Sequence, residues 1–83
     1  MEKNGLYIVT ETMVCLSKKE VTQFVVGVDR DFGIARKILD DSLNKLIADG
    51  FDENLLDYPN KWEWTYSSSD FIITNRINFT DDI

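Results

Sequence analysis

The chain has 83 residues with fifteen acids, nine bases, one Cys, one Pro and no His, giving a formal net charge of −6. That length holds one small domain, residues 1–83. One Cys cannot close an internal disulfide, and without His neither the usual zinc sites nor a Ser-His-Asp or Cys-His pair can form. Hydrophobic residues at 43% and charged residues at 29% are ordinary for a folded domain, which excludes collagen-like and disordered chains.

Met1-Glu2-Lys3-Asn4-Gly5 lacks the apolar core of a signal peptide, and no run approaches the ~18 apolar residues of a membrane span. The expected location is therefore cytoplasmic, with no membrane partner, and a free Cys15 suits a reducing compartment.

Residues 6–16 are rich in β-branched and apolar types on both parities, as in a strand covered on more than one side. Ser17-Lys18-Lys19-Glu20 is a short polar connector, and 21–28 reads as a second strand with Phe24, Val26 and Val28 on one parity. Gly27 marks a bulge or the strand end. Asp29 or Asp31 then caps a helix over 32–49, in which Phe32, Ala35, Ile38, Leu39, Leu43, Leu46 and Ile47 form an amphipathic stripe. Gly50 stands where a left-handed residue ends a helix, with Phe51 able to pack back on Leu46.

Residues 52–60 are expected to be a connector, with one helical turn near 53–57 before Pro59. Trp62, Trp64 and Tyr66 alternate with polar residues in a third strand, 61–67. Ser67-Ser68-Ser69-Asp70 is a turn, and 71–79 is a fourth strand in which Asn75 interrupts Phe71, Ile73, Ile77 and Phe79. Residues 80–83 are expected to be loose. The order β-β-α-β-β predicts a small α+β domain: an antiparallel sheet with one amphipathic helix packed on a face. Strand order is not readable from the pattern.

Charge is unevenly placed. Residues 1–48 carry seven acids and seven bases; residues 49–83 carry eight acids against Lys61 and Arg76. Asp49, Glu53 and Asp57 would line one side if the connector were helical. Charges fixed on a scaffold can imitate a phosphate path and steer association with a basic surface, whereas a −6 chain repels nucleic acid itself.

No constellation points to catalysis. Asp29-Arg30-Asp31-Phe32-Gly33 departs from a calcium loop at Phe32 and in the place of its Gly, and Gly27 and Gly33 lack the spacing of a phosphate fingerprint. No metal or cofactor is expected, and Cys15, inside a strand, is expected to be a buried, inert thiol. The expected function is a non-enzymatic protein-binding module. Its candidate partner-binding residues are the acids Asp49, Asp52, Glu53, Asp57, Glu63 and Asp70, with Trp62, Trp64 and Tyr66 as aromatic anchors. In size and charge the chain resembles the small acidic single-domain inhibitors, many from phages, that cover a basic site on a larger enzyme. That resemblance implies a partner protein with a basic, nucleic-acid-binding surface. The alternative is an assembly subunit forming a homodimer or larger homo-oligomer through a sheet edge.

Overall fold

The computed structural model describes residues 5–81. Its elements are β1 (Leu6–Cys15), β2 (Glu20–Asp29), α1 (Phe32–Ala48), a 3-10 turn (Glu53–Leu55), β3 (Leu56–Asn60), β4 (Glu63–Ser67) and β5 (Phe71–Thr80). The strands form one antiparallel sheet in the order β2-β1-β5-β4-β3, with α1 against one face. This is the α+β architecture that the sequence predicts, enlarged by one strand. The expected turn near 53–57 is real but short, and the chain then extends into β3. Pro59 sits there without breaking a ladder because β3 is an edge. Residues 82 and 83, expected to be loose, lie outside the described residues, whereas Thr80 belongs to β5.

Local chemistry explains the ends of α1. The Asp31 carboxylate accepts from the N–H groups of Gly33 and Ile34 at 2.7 and 3.3 Å, and Asp29 in turn accepts from the N–H of Asp31 at 2.8 Å. Both candidate caps thus act at the helix entry. At the other end Gly50 has φ +97°, its N–H donates to Ile47, and the N–H of Phe51 donates to Leu46. This is the 6→1 and 5→2 pattern of a Schellman stop.

The core lies between α1 and one face of the sheet. Val9, Ile73, Ile77, Trp64 and Tyr66 point at Ala35 and Leu39, all of them buried. Trp64 and Tyr66 therefore take the core role for a Trp/Tyr strand face rather than the anchor role. Trp62 precedes β4, at the β3–β4 turn, and packs with Tyr7 and Phe32 at ring-centroid distances of 6.0 and 4.6 Å. Arg36 on the helix donates to the carbonyl of Lys61 in the same turn. Asn75 is the buried polar residue of the sheet: it accepts from Ser42 at 2.9 Å and donates to Glu11 at 3.0 Å.

One expectation about β2 is overturned. The register between β1 and β2 shifts at Val9/Thr10, so that Val9 faces Gly27 while Thr10 faces Val25. The extra residue, Val26, reverses the alternation. Phe24 then shares the helix face with Glu11, while Val28 shares the opposite face with Ile8. The helix comes close to Gly27 beside the bulge: a Cβ there would stand 3.0 Å from Cδ1 of Ile38. The second face of β1 is also not covered as its sequence suggests. Among the described residues one helix packs on one face of the sheet, leaving Ile8, Val14 and Ile72 half-buried on the other. No helix among the described residues is long and apolar enough to cross a membrane.

Candidate functional site

The expected acidic surface is divided by the fold. Asp49 is the exposed C-cap of α1, Asp52 caps the 3-10 turn by accepting from the N–H of Asn54, and Glu53 is exposed in that turn. Asp57 lies in β3 opposite Thr65. The proposed i, i+4, i+8 line of Asp49, Glu53 and Asp57 does not exist, because Gly50 ends the helix and Asp57 is extended. Glu63 accepts from Arg76 at 3.0 Å and from the amide of Asn60 at 3.0 Å, so its charge is already partnered. Asp70 stands in the β4–β5 turn, where its backbone carbonyl accepts from Leu16. Of the three aromatic anchors, Trp64 and Tyr66 are 1% and 6% exposed and cannot meet a partner, and Trp62 is half-buried. Between Asp49 and Asp70 the exposed large apolar residues are instead Leu55 and Tyr58.

Cys15 corrects a second expectation. It ends β1 half-exposed, with its sulfur 3.6 Å from the hydroxyl of Ser17. The hydrogen bond with Ser17, and then the backbone at Lys18, hold its pKa below the ordinary thiol value.

A group of exposed apolar residues lies at the other edge of the sheet. β2 is an outermost strand of ten residues, and among the described residues nothing pairs with its outer edge. Val21, Phe24, Val25 and Val28 are 67%, 47%, 59% and 50% exposed. Natural sheets protect a free edge with Lys, Pro, shortness or a bulge. β3, at the opposite edge, has five residues, Pro59 and an irregular register. β2 has only the bulge at Val26, which leaves 20–25 regular, and carries its charges at its two ends, Glu20 and Asp29. Sequence reasoning missed this edge because the strand order was not readable; the absence of Lys and Pro between Val21 and Val28 was the available signal.

The register also places a polar row across the uncovered face. Asp57, Thr65, Thr74, Thr12 and Gln23 stand side by side on five successive strands, ending at the β2 edge. Thr65 and Thr74 are joined hydroxyl to hydroxyl at 3.4 Å. A shallow basin of about 470 Å³ lies along this row, lined by Thr10, Thr12, Gln23, Thr74, Arg76 and Asn78.

A smaller cleft of about 260 Å³ lies between α1 and β2, where Glu11, Phe24, Lys45 and Asp49 meet. Glu11 is held there by Asn75, and among the described residues no buried side-chain nitrogen or oxygen lacks a partner. No group of three His, Cys, Asp or Glu residues among the described residues is placed to hold a metal ion. The chain matches no family model, no curated protein and no solved structure.

Proposed function

We propose that the protein is a non-enzymatic binding module that joins a partner by strand addition at the free edge of β2. The observation that carries this reading is the exposure of Val21, Phe24, Val25 and Val28 on an outermost strand without Lys or Pro. Three of them, Val21, Val25 and Val28, share the uncovered face, and exposed apolar side chains grouped in this way are a common mark of an interaction surface. An added strand would satisfy the unpaired N–H and C=O groups of the edge, while its side chains cover the valines. The test is a pull-down with the wild type and a Val21→Lys/Val25→Lys variant. Both positions are more than half exposed, so the fold should survive the change. A partner retained by the wild type and lost by the variant is the expected result. Equal recovery by both overturns the reading.

A second reading keeps the acids as the interface: Asp49, Asp52, Glu53 and Asp57 occupying a basic, nucleic-acid-binding surface of a larger protein. The exposure of Leu55 and Tyr58, at 42% and 57%, favours it by supplying apolar contacts among those charges. Neutralising Asp52, Glu53 and Asp57 with Asn or Gln should then slow association and flatten its dependence on salt. Unchanged kinetics would count against this surface.

A further inference from the structure

We infer that the strand added to β2 is the β2 strand of a second copy of this chain, paired antiparallel about a twofold axis at Gln23. The inference rests on the edge-binding reading above and adds the partner and the register.

Charge favours a second copy. The turn before the edge carries Lys18 and Lys19 and the strand begins at Glu20; the strand ends at Asp29, followed by Arg30, which donates to the carbonyl of Gly5, and by Asp31, which caps α1. These ends have opposite net sign. Antiparallel pairing of two copies sets each basic end beside the other copy's acidic end, and parallel pairing sets like on like. The edge also belongs to the half of the chain with equal acids and bases, while Asp52, Glu53 and Asp57 lie toward β3 at the other edge. The net repulsion between two copies is therefore weakest at β2.

Side-chain alternation selects the register. A twofold axis perpendicular to the sheet keeps each face continuous, so residues of the same parity must meet. Centring it on Gln23 puts Val21 of each copy opposite Val25 of the other. These are the two most exposed of the valines, and both are on the uncovered face. It puts Thr22 opposite Phe24 on the helix face. It also joins the two polar rows end to end, because Gln23 is the last residue of the row that runs from Asp57 through Thr12. A carboxamide both donates and accepts, so two glutamines related by a twofold axis can hydrogen-bond to each other. The pairing uses the regular stretch before the bulge and makes one ten-stranded sheet with both helices on the same side.

The test uses the full chain in a Cys15→Ser background. Residues directly opposite in an antiparallel pair fall within disulfide reach, and residues four positions out of register do not. Gln23→Cys should oxidise to a covalent dimer. Val21→Cys and Val25→Cys should each form no covalent dimer on oxidation alone and form a cross-linked dimer when mixed. Without cysteines, sedimentation should show a reversible dimer, whose dissociation constant rises at least about tenfold in Val21→Lys/Val25→Lys. A monomer at all concentrations, with no cross-link at position 23, overturns the second copy as the partner. If that monomer's β2 still captures a partner that Val21→Lys/Val25→Lys loses, the edge-binding reading stands. A dimer that cross-links at another pair of positions overturns the register.

Discussion

The indole N–H of Trp64 donates to the backbone carbonyl of Leu39 at 3.2 Å, tying β4 to the middle of α1 inside the core. The bond satisfies the one polar atom of the largest fully buried side chain. Trp64→Phe should cost about 1–2 kcal/mol, from the lost hydrogen bond and a small void. Trp64→Ala should cost about 3–5 kcal/mol, a large share of what a domain of this size possesses. Urea unfolding followed by circular dichroism measures both. A cost below about 1 kcal/mol for Trp64→Ala would contradict the core assignment.

Asn75 connects Glu11 on β1 to Ser42 on α1 from a fully buried position. Asn75→Ala removes a donor and an acceptor together and should cost about 1–3 kcal/mol. Glu11→Gln keeps an oxygen to accept from Asn75 and should cost much less. Equal losses in the two variants, measured by thermal unfolding, would show that the hydrogen bonding of Asn75 is not what stabilises this part of the sheet.

Gly27 and Ile38 are coupled by contact. A methyl group on residue 27 would meet Cδ1 and Cγ2 of Ile38 at 3.0 and 3.2 Å. Gly27→Ala should destabilise by about 1 kcal/mol, and Ile38→Val, which removes Cδ1, by about 0.5–1.5 kcal/mol. The double variant should lose less than the two costs added together, because the shorter side chain leaves room for the methyl group. Simple additivity in urea melts would remove the steric explanation.

Cys15 should react as a thiol of lowered pKa. Its alkylation rate against pH should rise at a lower pH than for an unstructured cysteine peptide, and Ser17→Ala should move the profile back up. A folded-state pKa below the unfolded value favours the folded protein once the pH exceeds the unfolded thiol's pKa. That contribution disappears as the pH falls through the folded pKa. A profile unmoved by Ser17→Ala would remove Ser17 as the cause.

Among the sequence features, those that depend on neighbours along the chain carry over directly into the structure. The helix, its Asp31 cap and its Gly50 stop follow from the 3.6-residue period and from short-range backbone hydrogen bonding. The two hairpins and the α+β class follow equally from alternation and turn chemistry. The separation of Phe24 from Val28 does not, because one bulge residue reverses a face, and the bulge belongs to the way β1 and β2 pair. β3 escapes the pattern because an edge tolerates Pro59 and needs little apolar alternation. The candidate site was the least legible part. Trp64 and Tyr66 have the composition of interface anchors, and only the position of α1 turns them into core. The row from Asp57 to Gln23 joins residues distant in the chain. The sequence alone determined the elements, their caps and the excess of acids in the second half. Strand order, a long-range property set by which hydrophobic faces meet under one helix, made β2 an exposed edge, the feature on which the proposed strand addition rests.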